Sequence, residues 1–184
     1  MEKRSIICGV LILLLVCTAS FATAFTEILY EATDLGGGRW QYDYKVSNIG
    51  LTEAIKKFAI RFDYDMYSNL TIVTPAEGGE NGWQKVVFQP DEEFEVDGEY
   101  SAKGKNPGII AGESVSGFSV SFDWTGAGTP GPQYYAIINP TNFEVVSSGW
   151  TELDPASITP EPATVILIGM GGIFVIRKWP KKNK

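Results

Sequence analysis

The sequence predicts an all-β fold, an antiparallel β-sandwich, set between two terminal segments of a different kind. Three observations lead there. Apolar and aromatic residues in the middle of the chain recur at every second position, the period of a half-buried strand. Clusters of Gly, Asn, Asp and Pro punctuate these runs at short intervals. The 184-residue chain has no histidine, and both of its cysteines, Cys8 and Cys17, precede the alternating region.

Each strand has its own signal. Residues 26–32 form the first candidate, one of the weaker ones. Gly36-Gly37-Gly38 then supplies a turn. Trp40, Tyr42, Tyr44 and Val46 alternate with Gln41, Asp43, Lys45 and Ser47, so one face is aromatic and the other polar. Residues 51–57 give the only helical hint, at most two turns. Phe58, Ile60, Phe62 and Tyr64 alternate again, and residues 70–73 and 84–88 are weaker candidates. Gly78-Gly79 and Asn81-Gly82 make a turn before Trp83. Asp97-Gly98 and Asn106-Pro107-Gly108 mark two further turns, and residues 108–111 follow as a short strand. Phe118, Val120, Phe122 and Trp124 form the third clear alternation, and Gly117 before them permits a bulge or a close backbone approach. A Gly/Thr/Pro loop over residues 125–132 leads to strands at 134–138 and 143–147. The tally is about nine strands with sandwich-like punctuation.

The termini read as export and sorting signals. Lys3 and Arg4, an apolar run over residues 6–16 and Ala22-Thr23-Ala24 make a secretory signal peptide over residues 1–24, with cleavage after Ala24. Val16 stands where a lipobox would need a small residue, so Cys17 is no lipid anchor. Both cysteines leave with this segment, and the exported domain must hold together without a disulfide. At the other end come Pro160-Glu161-Pro162, then fourteen apolar or small residues at 163–176 with three glycines, then Arg177, Lys178, Lys181, Lys182 and Lys184. As a helix, residues 163–176 would span roughly 21 Å, short of a ~30 Å hydrocarbon core. The basic end, starting at Arg177 and Lys178, is a cytoplasmic stop by the positive-inside rule. The organisation is a signal peptide (1–24), an ectodomain (25–153), a linker (154–159) and a tail (160–184).

This tail resembles the PEP-CTERM sorting signal of Gram-negative bacteria over about 25 residues, with the triplet Pro160-Glu161-Pro162, the short helix and the basic end in order. The resemblance implies an inner-membrane intermediate, processing by an exosortase-type enzyme near the triplet, and association with exopolysaccharide and biofilm matrix. The body is similar, over residues 38–140, to the immunoglobulin-like or cohesin-like sandwiches found in front of such tails. The stretches concerned are Gly38-Arg39-Trp40 through Val46-Ser47-Asn48, Ser114 through Phe122, and Gly126 through Gln133. That second resemblance implies a fold and no activity.

Composition excludes several chemistries. Without histidine there is no Ser-His-Asp or Cys-His catalysis and no His-ligated zinc or haem. Residues 25–159 hold 8 basic and 20 acidic residues, a net charge of −12, which repels nucleic acid. No Walker loop, dinucleotide fingerprint or nucleophile elbow occurs. Asn69-Leu70-Thr71 fits a glycosylation acceptor but carries no function in this setting.

Three constellations remain. Asp91, Glu93, Glu95 and Asp97, with Glu92 and Glu99, offer oxygen ligands that would suit calcium, although their spacing fits no calcium loop and a solvated acidic loop that blunts an edge strand is the favoured reading. Asp63 and Asp65 are a carboxylate pair of the kind glycosidases use, without catalytic context. Trp83, Tyr134 and Tyr135 flank loops, where aromatic faces stack on sugar rings; Trp40 and Trp124 continue inward alternations and belong to the core. The leading expectation is an exported, non-enzymatic surface or matrix protein associated with exopolysaccharide, needing no cofactor. The alternative is a carbohydrate-binding adhesin using Trp83, Tyr134 and Tyr135, and a polysaccharide hydrolase comes last. Self-association through exposed strand edges is a further expectation.

Overall fold

The computed structural model describes residues 25–74 and 82–157. The predicted signal peptide with Ala22 and Ala24, the predicted turn residues Gly78, Gly79 and Asn81, and the predicted sorting tail with Pro160, Glu161, Pro162, Arg177 and Lys178 lie outside the described residues. Among the described residues, no helix is long and apolar enough to cross a membrane.

Among the described residues, ten strands form two five-stranded sheets. They are β1 (Thr26–Gly36), β2 (Arg39–Asn48), β3 (Lys57–Phe62), β4 (Tyr67–Ile72), β5 (Trp83–Phe88), β6 (Gly98–Gly104), β7 (Ser114–Trp124), β8 (Tyr134–Ile138), β9 (Val145–Trp150) and β10 (Glu152–Leu153). The first sheet runs β10-β1-β2-β7-β4 and the second β5-β6-β3-β8-β9. All neighbours are antiparallel except β10, which joins the edge of β1 in parallel. A single 3₁₀ turn (Pro155–Ser157) ends the described chain.

The predicted alternations place the core between the sheets. Tyr42, Tyr44, Val46, Phe118, Val120 and Phe122 point inward from the first sheet, and Phe58, Ile60, Phe62, Tyr100, Tyr135 and Ile137 meet them from the second. Phe58 and Phe118 cross the gap edge to face at 4.9 Å. Such aromatic pairs add to the area they bury, and here they act where no disulfide is available. The β1–β2 hairpin turns at Gly37 and Gly38, with φ of 65° and 82°, the left-handed pair that a tight two-residue loop needs. Gly117 is the residue left out of the β2–β7 ladder, which pairs Tyr44 with Phe118 and Lys45 with Ser116; the expected bulge is there.

Several expectations need correction. Residues 51–57 form no helix; Ile55 is buried and makes an isolated bridge with Ile109. That one bridge is all that forms at 108–111. Tyr64 falls in a turn after β3, because Asp63 accepts the N–H groups of Met66 and Tyr67 through its carbonyl. β9 begins at Val145, later than expected, since residues 139–144 close the β8–β9 loop. β6 was not foreseen, although it lies inside the second sheet. Its inward set is Gly98, Tyr100, Ala102 and Gly104, too weakly apolar to declare itself. A Cβ on Gly104 would come within 2.8 Å of the Trp83 ring, so a small residue is required there. Trp40 and Trp124 sit at the core margin, partly buried against it.

Trp83 is 3% exposed, with its ring against Phe58 at 5.8 Å and Phe118 at 5.2 Å. Trp83→Ala is therefore expected to cost about 3–5 kcal/mol in denaturant unfolding. A loss below about 1 kcal/mol would show that the ring is not a core member.

Candidate functional site

The site is built from Gln133, at the entrance to β8. This side chain is buried at 3% exposure, and a buried amide must find partners for both ends. Its carbonyl accepts the Tyr44 hydroxyl at 3.1 Å, and its NH₂ donates to Tyr67 Oη at 3.0 Å and to the Gly131 carbonyl. Its backbone N–H donates to Thr151 Oγ1 at 2.8 Å, and Thr151 N–H returns to the Gln133 carbonyl at 2.8 Å. Tyr42 donates to the same Gly131 carbonyl at 3.1 Å. Gln133 thus ties β2, β4 and the segment after β9 to the start of β8.

That anchoring sets the alternation of the next two residues. Tyr135 turns inward, 3% exposed, and donates to the Thr26 carbonyl at 2.8 Å. Tyr134 turns outward and is half-buried. Directly opposite it in the ladder stands Trp150, 64% exposed. Their rings meet edge to face at 6.0 Å, and the Arg61 guanidinium lies 6.0 Å from the centre of the Tyr134 ring. These residues form one wall of a cleft of ≈ 420 Å³, whose lining also includes Asp63, Asp97 and Gln133. A larger recess of ≈ 560 Å³, lined from residues 51–56, 106–107 and 137–141 together with Val146, has no aromatic ring in its lining.

The predicted sugar-binding set is thereby broken up. Trp83 and Tyr135 are core residues and present no face to solvent. Adjacent strand residues point to opposite sides, so Tyr134 and Tyr135 cannot share a surface. Tyr134 alone reaches the cleft, and its partners Trp150 and Arg61 were not foreseen. Arg61 carried the polar half of an alternation, and Trp150 lies beyond the strand predicted at 143–147.

The carboxylates are also separated. Asp63 lines the cleft and Asp65 does not; Asp63 Oδ1 instead accepts the Asp65 N–H at 2.8 Å. Asp97 Oδ1 accepts the Tyr64 N–H at 3.3 Å. Asp91 Oδ1 takes the N–H groups of Glu93 and Phe94 at 3.0 and 3.2 Å, and an Asp91–Val96 bridge closes that loop. Among the described residues, no three His, Cys, Asp or Glu side chains are grouped to hold a metal ion, so Asp91, Glu93, Glu95 and Asp97 are not assembled as a calcium site. On the other sheet, Asn69 donates to Asp123 Oδ2 at 2.6 Å and Arg39 to Asp123 Oδ1 at 2.7 Å. The Asn69 bond, with the Arg39 bond and charge after it, holds the Asp123 carboxyl below its usual range.

Burial raises the phenols behind the cleft. Tyr67 is pushed up to about 12, and Tyr42 and Tyr44 are raised further, burial being the first cause in each.

No family model and no curated protein matches the chain. Solved structures similar to it include the following two. The chitin-binding domain of Chi18aC from Streptomyces coelicolor matches at 19% identity and a TM-score of 0.36, over 60% of this chain and 89% of that one. A type I cohesin–dockerin complex from Clostridium thermocellum matches at 15% identity and a TM-score of 0.35, over 70% and 99%. At these scores neither likeness assigns a function.

The tyrosines give a test. Unfolded phenols ionise near 10, whereas folded Tyr67 stays neutral to about 12. Over that interval the unfolded chain releases protons that the folded chain keeps, so stability falls as pH rises. The melting temperature should drop through pH 10–12, with tyrosinate absorbance appearing together with unfolding. Ionisation of all eight tyrosines near pH 10 in a still-folded protein would contradict the buried network.

Proposed function

We propose that the domain is a non-enzymatic carbohydrate-binding module of an exported protein, with its sugar contact on the Trp150–Tyr134 wall. The exposed Trp150, held edge to face by Tyr134, carries this reading. An aromatic face of this size in water lowers its free energy by covering the C–H face of a sugar ring. Arg61, Asp63 and Asp97 beside it supply the donors and acceptors that orient hydroxyl groups. The use of Asp63 and Asp97 to accept backbone N–H groups gives these carboxylates a structural task and supports binding over catalysis.

The setting proposed for this module is the cell surface or extracellular matrix of a Gram-negative bacterium. The residues behind it are the signal peptide ending at Ala24 and the tail beginning at Pro160-Glu161-Pro162. In this reading an exosortase-type enzyme releases the chain from the inner membrane, and exopolysaccharide is its partner outside.

Trp150→Ala is expected to weaken binding to the host's exopolysaccharide about tenfold while leaving the melting temperature within a few degrees. Isothermal titration together with a thermal melt reads both. Undiminished binding by Trp150→Ala would overturn the site. Mass spectrometry of the mature protein from its host should find residues 177–184 removed. A mature chain still ending at Lys184 would overturn the sorting reading.

A further inference from the structure

Strand register arranges the outer face of the second sheet into three rows. The first row reads Phe88, Glu99, Arg61, Tyr134 and Trp150 across β5, β6, β3, β8 and β9. Two residues along each strand, the second row is Val86, Ser101, Ala59, Ala136 and Ser148. The third is Gln84, Lys103 and Lys57, with Ile138 next by register. Long side chains flank a middle row of small ones on β6, β3 and β8, and Trp150 continues one flank onto β9. The result is a shallow trough running across the strands. At about 4.8 Å between neighbouring strands, these four strands give a trough of roughly 14 Å. That spacing is close to the advance of one sugar in an extended polysaccharide.

The third row is unusual in its charge. Lys57 and Lys103 stand directly opposite each other on adjacent strands. Like charges in that position repel and weaken a sheet. Neither has an ion-pair partner among the described residues; Lys57 Nζ lies 5.0 Å from the centre of the Phe143 ring. With Arg61, these are three of the 8 basic residues in a segment that holds 20 acidic ones, and Glu99 is the only carboxylate in the three rows. Asp63 and Asp97 lie past the first row, away from the lysines. Lys57, Lys103 and Arg61 therefore give one face of an acidic domain a local positive charge that an anionic ligand would complement.

We infer that this trough binds an acidic polysaccharide laid across the strands, with Trp150 and Tyr134 stacking on its sugar rings and Lys57 and Lys103 pairing with its carboxylates. The inference rests on the carbohydrate-binding reading and adds to it the ligand's charge and direction. Charge-assisted bonds from two lysines give the selectivity, and the aromatic wall gives affinity common to acidic and neutral chains.

The test uses the full chain in a neutral detergent. Its retention is measured in gels containing alginate, a polyuronate, or the same alginate reduced at its carboxyl groups to a neutral polymer. The unaltered protein is expected to bind the polyuronate about tenfold more tightly than the reduced polymer. Lys57→Gln with Lys103→Gln should bring polyuronate binding down to the neutral level. Since removing two opposed like charges should not harm the fold, a melt no lower than that of the unaltered protein is expected as well. Trp150→Ala should weaken binding to both polymers. Equal retention by both polymers, lost in Trp150→Ala, would overturn this inference and leave the carbohydrate-binding reading standing. Retention by neither would overturn both.

Discussion

Gln133 is the point on which the geometry of this domain turns. A sandwich without disulfides can bury large aromatic side chains, but tyrosine brings a hydroxyl into the core with each ring. An unpartnered buried hydroxyl costs about 1–3 kcal/mol. One amide at the head of β8 serves Tyr44 and Tyr67 together, and the Gly131 carbonyl beside it takes Tyr42. These contacts link strands of the first sheet to β8 of the second. They also fix which way β8 enters. Once Gln133 points inward, Tyr134 must point out and Tyr135 in. The candidate site is a consequence of how the core satisfies its polar atoms.

The sandwich was legible in the sequence because its central strands alternate strongly. The sets at 40–46, 58–62 and 118–124 could be read one residue at a time, and their inward members form the core, with Trp40 and Trp124 at its margin. Gly117 could be read as a bulge because a glycine before an apolar strand has few other uses. β6 was hidden for a physical reason. Gly98 and Gly104 are small so that Pro90, Leu70 and Trp83 can pack close, and that packing is a tertiary fact with no local signature.

The site was legible only in part, for a similar reason. Trp83 follows a Gly/Asn turn just as a loop-edge sugar platform would, and nothing local distinguishes it from one. Its burial depends on Phe118, which lies far along the chain and in the other sheet. Trp150 shows the converse. It lies outside any clear alternation, and only the β8–β9 register sets it beside Tyr134. Functional rows on a sheet face run across strands, perpendicular to the chain. A reading along the chain finds their members one by one and cannot join them.

The two faces of the sandwich consequently differ in what they can do. On the first sheet, Arg39, Asp123, Asn69 and Ser121 satisfy one another in a closed hydrogen-bond network. On the second, Trp150 stands in solvent and two lysines oppose each other. The difference is most directly tested by nuclear magnetic resonance of the labelled protein titrated with an acidic polysaccharide. The account predicts that the Trp150 indole and the amides of Arg61, Tyr134 and Lys57 shift together, while Trp83 and the Arg39–Asp123 face stay still. Shifts confined to the first sheet, or none in the second, would contradict it.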